Sequence, residues 1–212
     1  MVDMINLVKK AIKFLKAEYY ILFQPQKTFV FDGVEYKYFY HKYNYTPLNE
    51  RCVEIPIVMR KLDEYLDAKK QVFEIGNVMQ NYHKREWEIL DKFEKGDNVI
   101  NKDIVDYKTD KRYDLIICVS TIEHIGFDDN LKDDDRISSA ILNMKNMLKK
   151  DGELIITFPL GYNPNADKLV EKDWFDKITL MRKVKNKWKE DKVLKGKYGD
   201  NVVILTYKKW LG

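Results

Sequence analysis

Five short apolar runs between residues 71 and 158 constrain the fold of this chain more than any other feature. The strongest run reads Tyr-Asp-Leu-Ile-Ile-Cys-Val and covers Tyr113–Val119. The other runs are Gln71–Ile75, Trp87–Leu90, Asn98–Ile100 and Glu153–Phe158. Segments this apolar are typical of strands that are buried on both faces of a parallel sheet. We therefore expect a parallel sheet, covered on both sides, at the centre of the protein.

Helices and a final pair of strands complete the predicted architecture. Ile137, Ile141 and Met144 recur at helical spacing. Two more strands are predicted at Ile178–Lys183 and Asn201–Tyr207, with no helix after the second. This order predicts an α/β fold with a doubly wound, mostly parallel, Rossmann-like sheet of seven strands and an antiparallel C-terminal edge strand.

The N-terminal part of the sequence has a different pattern. Apolar residues recur at helical spacing from Met4 to Leu15, and lysines fill the other face. Strands are predicted at Thr28–Phe31 and Glu35–Tyr40, joined by an Asp-Gly turn. A helix over Ile57–Leu66 follows Pro56. We expect residues 1–48 to form a helix and hairpin extension and residues 49–212 to form the Rossmann-like domain.

The N-terminal helix has three candidate roles. It could lie on a membrane surface, pack on its own domain, or contact a partner subunit. The helix lacks a distinct basic cluster, so the sequence favours the last two roles. The many aromatic residues between Tyr19 and Tyr45 are typical of a small satellite core or an oligomer contact, and we predict a homodimer through this extension.

Composition excludes several classes of protein. The chain has 38 Lys and Arg against 34 Asp and Glu, and a net charge of +4 is too small for a dedicated nucleic-acid binder. Hydrophobic residues make up 45% of the chain, enough for a sizeable core, and no apolar run has the length of a membrane span. Cys52 and Cys118 are far apart and have no metal-ligand spacing, so we expect two reduced thiols in a cytoplasmic protein.

The candidate binding residues follow the predicted strands, because ligands of open α/β sheets bind at the carboxyl ends of the strands. The glycine after the first strand lets a ligand approach the backbone closely. An acid after the second strand can accept hydrogen bonds from a ribose diol. The cofactor-binding residues predicted in this way are Glu74, Gly76, Asn77, Asp91, Asp103, Ile104, Ser120 and Thr121.

Five segments in this order resemble class I S-adenosylmethionine-dependent methyltransferases over residues 70–160. The segments are Val-Phe-Glu-Ile-Gly, a strand followed by Asp, the Asp-Ile pair at Asp103, the run from Tyr113 through Ser-Thr-Ile-Glu-His-Ile, and Leu-Lys-Lys-Asp-Gly before the fifth strand. The stretch Asn-Glu-Arg-Cys-Val-Glu-Ile-Pro from Asn49 also resembles a small subgroup associated with surface-glycan biosynthesis. The resemblance implies S-adenosylmethionine as cofactor and methyl transfer to a small-molecule acceptor such as a sugar or sugar nucleotide.

The first loop departs from the family pattern, which favours a second hypothesis. The family has Gly-x-Gly-x-Gly where this chain keeps Gly76 alone, and only fifteen positions separate Gly76 from Asp91, so the first helix is predicted to be missing or very short. The alternative is an inactive methyltransferase-like binding or scaffold protein, which Met79 or Gln80 filling the space at Gly76 would favour. An RNA methyltransferase is less consistent with the charge, and a nicotinamide site needs Gly-x-Gly-x-x-Gly.

The resemblance also implies candidate catalytic residues, Glu123 and His124. His124 is a candidate base, or shapes the pocket by capping the next turn. As divalent metal ligands the pair is incomplete, because Ser120 stands where the third ligand of such sites falls, and we predict no metal. The acidic run from Asp128 to Asp135 fails the EF-hand pattern and is predicted to be a solvated loop or a lid.

For two further charged segments the sequence allows both a binding role and a structural role. Arg51 could contact the cofactor carboxylate or pair with Glu54 at the start of a helix. The basic stretch Arg182–Lys197 could bind phosphate, although its interleaved acids favour an exposed loop or hairpin.

Overall fold

The structure is a computed structural model that describes residues 2–24, 27–96, 98–128, 135–193 and 197–210. Its helices are α1 (Val2–Phe23), α2 (Arg51–Asp67), α3 (Arg136–Asn146) and α4 (Pro164–Asp167). Its strands are β1 (Thr28–Phe31), β2 (Val34–Lys37), β3 (Val72–Ile75), β4 (Glu88–Leu90), β5 (Val99–Ile100), β6 (Tyr113–Val119), β7 (Leu148–Phe158), β8 (Lys177–Val184), β9 (Lys187–Asp191) and β10 (Asn201–Lys208). Short segments of 3-10 helix cover Tyr43–Leu48, Met79–Asn81, Ile122–His124 and Lys168–Glu171.

The main sheet confirms the predicted fold class. Its eight strands run in the order β5-β4-β3-β6-β7-β10-β8-β9. Strands β3 to β7 are parallel to one another, and β10 is antiparallel to both of its neighbours. Because β4 and β6 lie on opposite sides of β3, the chain order reverses between β3 and β6. That position is the topological switch point, where open α/β sheets bind ligands.

The place of the C-terminal strand differs from the prediction, and so does the number of strands. Strand β10 lies inside the sheet between β7 and β8, and the antiparallel edge strand is β9 instead. The sequences of the two strands explain the difference. Val202 to Leu205 are all buried, as an interior strand requires. The sequence Lys-Trp-Lys-Glu-Asp of β9 carries the charges that keep an edge strand from pairing further.

The hydrophobic core has one half on each face of this sheet. Alternate residues of β6 and β7 point to opposite faces, so that Ile116 and Leu154 pack towards α3 while Ile117 and Ile155 pack towards α2. The hairpin β1–β2 belongs to the second half through Phe29. Its turn has Asp32 at φ +52° and Gly33 at φ +72°, as the Asp-Gly sequence predicts.

Helix α2 begins six residues before the predicted start. It runs through Pro56, which has no N–H to donate to the carbonyl of Cys52 one turn earlier. The N–H of Phe39 donates to that carbonyl at 2.9 Å instead. The early start places Arg51 and Glu54 inside the helix. None of the helices within the described ranges has the length and apolar character needed to cross a bilayer.

Candidate functional site

A cleft of about 340 Å³ opens at the carboxyl ends of β3, β4, β5 and β6, at the switch point. Small-molecule sites in proteins have volumes of roughly 300–1,000 Å³. Eight of the ten predicted site residues line it: Gly76, Asn77, Asp91, Asp103, Ile104, Ser120, Thr121 and His124. The other two, Glu74 and Glu123, are buried behind its wall.

The turn after β3 requires glycine for two reasons. Gly76 has φ +82°, in the left-handed region that glycine tolerates. A Cβ at this position would also lie 2.1 Å from the side-chain oxygen of Thr121. Met79 is buried in the core and Gln80 bonds backbone carbonyls of its own loop, so neither fills the space at Gly76. Thr121 is the residue that approaches this glycine.

Asp91 organises the backbone on one side of the cleft. Its carboxylate accepts hydrogen bonds from the N–H groups of Asn77 at 3.0 Å, Phe93 at 2.8 Å and Glu94 at 2.7 Å. The side-chain nitrogen of Asn77 donates to Glu94 at 2.8 Å, and this hydrogen bond joins the loop after β3 to the loop after β4. The other end of this amide, Asn77 Oδ1, is buried and has no hydrogen-bond partner among the described residues. Among the described residues nothing fills the fourth lone-pair position of Asp91, which can accept a hydrogen bond from a ligand.

Asp103 is held by two cations at the rim of the cleft. Arg136 contacts its carboxylate at 2.6 Å and Lys92 at 3.1 Å, while the N–H of Val105 donates to the other oxygen. Burial alone would raise the pKa of Asp103, but these hydrogen bonds and charges outweigh it and lower the pKa. Its carboxylate is therefore engaged by the protein, and the neighbouring Ile104 supplies an apolar wall.

Glu74 supports the first loop from below. Its carboxylate accepts hydrogen bonds from the N–H groups of Val78 at 2.9 Å and Met79 at 2.6 Å, and from the indole of Trp87 at 2.8 Å. Burial raises the pKa of Glu74 to about 7 against the opposing effect of these donors. The described part of the loop between β3 and β4 has one 3-10 turn, Met79–Asn81, and no α-helix, in line with the prediction that a helix here is missing or very short. Glu74 ties this turn to the end of β3 through the N–H groups of Val78 and Met79.

A second buried carboxylate, Glu54 of α2, joins three elements behind the cleft. It accepts hydrogen bonds from the hydroxyl of Ser120 at 2.9 Å and that of Thr157 at 2.7 Å. Arg51 lies 3.3 Å from it, so of the two roles left open for this arginine the structure has the ion pair. Ser120 itself has φ +40°, a strained conformation for a non-glycine residue. The sequence signal for Glu54 was a lone acid among the apolar residues of a helix.

The turn after β6 presents a histidine to the cleft. His124 Nδ1 lies 2.6 Å from a carboxylate oxygen of Asp128, and the Tyr162 hydroxyl donates to the same carboxylate at 3.1 Å. The i,i+4 spacing of His124 and Asp128 is a signal that the sequence analysis did not use. Glu123 Oε1 is 3.8 Å from His124 Nε2. Burial raises the pKa of Glu123 well above its ordinary value, and its Oε2 has no hydrogen-bond partner in the described part of the chain.

Other predicted features fall partly or wholly outside the cleft. Most of the acidic run, residues 129–134, lies outside the described residues, as do residues 194–196 of the basic stretch. The described part of the basic stretch forms the β8–β9 hairpin, in which Trp188 is buried against the core. In the described ranges, no group of three His, Cys, Asp or Glu side chains is arranged to hold a metal ion.

Comparison with known proteins finds similarity among solved structures alone. No protein-family model matches the chain, and no curated protein matches it. The N-methyltransferase NodS from Bradyrhizobium japonicum WM9, in complex with S-adenosylhomocysteine, is 13% identical over 77% of this chain and 94% of that one, with a TM-score of 0.47. A Burkholderia thailandensis 1,6-didemethyltoxoflavin-N1-methyltransferase is 13% identical over 75% and 79% of the two chains (TM-score 0.49). A possible histamine N-methyltransferase from Thermotoga maritima is 16% identical over 72% and 90% (TM-score 0.44).

Proposed function

We propose that this protein transfers a methyl group from S-adenosylmethionine to a small-molecule acceptor, with a sugar or sugar nucleotide as the acceptor class that its sequence favours. The observation that carries the proposal is the convergence of eight strand-end residues in one cleft at the switch point. These residues were predicted from their positions after the strands and from the family resemblance. The proposal depends on them and not on the likeness to solved structures.

The polar groups of the cleft fit a cofactor that carries a ribose and an adenine. Asp91 keeps one lone-pair position that no described residue fills, so its carboxylate can accept a hydrogen bond from a hydroxyl group of a ribose. Leu90, Ile104 and Ile125 line the same cleft and supply an apolar surface for a flat base. When bound, the cofactor supplies a methyl group on a sulfonium, which is a good leaving group.

His124 is the proposed base. The carboxylate of Asp128 accepts a hydrogen bond from the Nδ1–H group of His124. In this tautomer Nε2, on the other side of the ring, is the unprotonated nitrogen that can accept a proton. A base is needed when the acceptor is a hydroxyl or an ammonium group, because its proton must leave as the new bond to carbon forms. Tyr162 and Asp128 hold the imidazole in position, and alignment of acceptor and donor provides much of the remaining rate.

A binding protein without catalysis is the second candidate. The observation in its favour is that Thr121 packs closely on Gly76, where the family's glycines give room to the cofactor. Location in the cytoplasm and a homodimer through residues 1–48 remain predictions of the sequence under either candidate.

Thermal unfolding with and without S-adenosylhomocysteine tests the proposal, with NADH as the control ligand. At about 100 times its dissociation constant a ligand adds roughly 2.7 kcal/mol, or about 5–10 °C for a chain of this size. We expect Asp91→Asn to weaken binding at least tenfold by calorimetry, while Asp110→Asn, an exposed aspartate outside the cleft, leaves it unchanged. No stabilisation at millimolar S-adenosylhomocysteine contradicts the proposal, and binding without methyl transfer to any amine or hydroxyl acceptor favours the second candidate.

A further inference from the structure

Helix α1 has a broad apolar face that the other described residues of the chain leave uncovered. Counted from Met4, the residues of this face follow at offsets of three, four or sums of these, and each is more than half exposed: Met4, Leu7, Val8, Leu15, Tyr19 and Leu22. An uncovered apolar face of this length marks an interaction surface. We call these six residues the apolar face of α1.

The domain is attached to the opposite side of the helix. Ala17 is 2% exposed, Tyr20 packs edge-on against Tyr40, and Glu18 forms an ion pair with Lys42 at 3.1 Å. At about 100° per residue, Ala17 and Tyr20 point away from Met4 and Leu22. From Met4 to Leu15 the apolar face therefore points outwards from the domain and can meet a flat surface, whereas Glu18, on the same side of the helix as Met4 and Leu22, reaches back to Lys42.

Four exposed lysines surround this face and define the charge that a partner must carry. Lys9 and Lys16 lie along one border of the apolar face, Lys10 lies near the other, and Lys13 lies opposite to it. A long lysine stem can run along an apolar surface and keep its ammonium group at a polar boundary. Glu18 is already paired with Lys42, so the helix presents mainly positive charge.

The sequence alone favours packing on the domain or on a partner subunit over a membrane surface, but an exposed apolar face with lysines along both of its borders reverses that order. In a two-fold contact between copies, the same patch meets itself, so the lysines of one helix would face the lysines of the other. An anionic bilayer offers acyl chains to the apolar face and phosphates to the three lysines that border it, Lys9, Lys10 and Lys16. Amphipathic helices of 20–30 residues with lysines on the polar face bind membranes in this way.

We propose that α1 lies flat on the surface of an anionic phospholipid bilayer. Its apolar face enters the boundary between headgroups and acyl chains, its lysines contact lipid phosphates, and the domain sits on the aqueous side. This attachment is independent of the proposed methyl transfer, because the helix shares no residue with the cleft.

Co-sedimentation of the full-length protein with vesicles tests the proposal. We expect binding to vesicles of three parts phosphatidylcholine and one part phosphatidylglycerol, and at least tenfold weaker binding to phosphatidylcholine alone. Leu15→Glu should weaken binding to the anionic vesicles at least tenfold, and Lys16→Glu, at the border of the apolar face, should weaken it severalfold. The matched controls are Leu142→Glu, a 62% exposed leucine on α3, and Lys84→Glu, an exposed lysine of the domain, and neither should change binding.

Three results would overturn the proposal. The first is an absence of binding to the anionic vesicles. The second is equal vesicle binding of the wild type and of a Leu15→Glu variant that circular dichroism shows to be folded. The third is a dimer in sedimentation equilibrium that Leu15→Glu dissociates, together with no vesicle binding, which would assign the apolar face to a second copy.

Discussion

The buried carboxylate of Glu54 shows how one residue can hold the floor of a site. It joins α2 to the end of β6 through Ser120 and to β7 through Thr157, while Arg51 balances its charge. These contacts fix Ser120 in its strained conformation beside Thr121 and Gly76. The site residue is therefore positioned by a helix 66 residues earlier in the chain.

We expect Glu54→Ala to lower the free energy of unfolding by about 3–5 kcal/mol, because two hydroxyls and a guanidinium lose their buried partner. Urea denaturation followed by circular dichroism measures the loss. Glu64→Ala is the matched control on the same helix. Glu64 is half exposed and pairs with Arg60 at 3.5 Å, so its loss should cost less than about 1 kcal/mol. Equal losses in the two variants would contradict the structural role of Glu54.

Part of this site was predictable at the scale of residues and part was not. The ends of parallel strands meet at one edge, so Gly76, Asp91 and Asp103 could be expected together before any coordinates were known. Their hydrogen-bond partners could not. The carboxylate of Glu74, predicted to bind the cofactor, accepts a hydrogen bond from Trp87, thirteen residues away, and is buried beneath its own loop.

At the scale of elements, the turn between β3 and the first loop depends on one glycine. We expect Gly76→Ala to cost about 3 kcal/mol, because a left-handed conformation costs an alanine roughly 1–2 kcal/mol and the new methyl group also collides with Thr121. The control is Gly33→Ala in the hairpin turn, which has φ +72° but no atom within 4 Å of the added Cβ. That variant should lose only the conformational part.

Thermal or urea unfolding of both glycine variants measures the difference, which isolates the contact with Thr121. If Gly76→Ala and Gly33→Ala lower the free energy of unfolding by the same amount, the close contact with Thr121 does not contribute to the cost of the Gly76 substitution. If Gly76→Ala also abolishes binding of S-adenosylhomocysteine while Gly33→Ala retains it, the turn serves the cleft as well as the fold.

The elements were predictable where the pattern is local. The buried runs predicted β3, β4, β6 and β7 because double burial imposes a continuous apolar sequence. The start of α2 was predicted six residues too late. Proline is common in the first turn of a helix, so Pro56 suggested that the helix begins there. The proline is tolerated inside the helix since Phe39 satisfies the freed carbonyl of Cys52, a contact that no local pattern reveals. The insertion of β10 between β7 and β8 is equally non-local.

At the scale of the whole molecule, one sheet serves both halves of the core. Consecutive residues of β7, Leu154 and Ile155, belong to opposite halves, so a change in either half must alter the same strand. The hairpin of the N-terminal extension contributes Phe29 to the half that also contains Cys52 and Trp188. The predicted boundary at residue 48 is therefore open to a thermodynamic test.

We expect Phe29→Ala to destabilise the whole protein by about 3–5 kcal/mol in a single transition, because the phenyl ring is 4% exposed and packs on Tyr38 at a centroid distance of 5.1 Å. Val30→Ala is the control from the same strand, since Val30 is 54% exposed and should change stability by less than about 0.5 kcal/mol. The measurement is thermal unfolding followed in parallel by near-ultraviolet and far-ultraviolet circular dichroism. If the two signals separate in Phe29→Ala, with a low-temperature step for the extension and an unchanged main transition, residues 1–48 unfold as a unit of their own. A common shift of both signals instead makes the hairpin part of one cooperative fold with the sheet that carries the cleft.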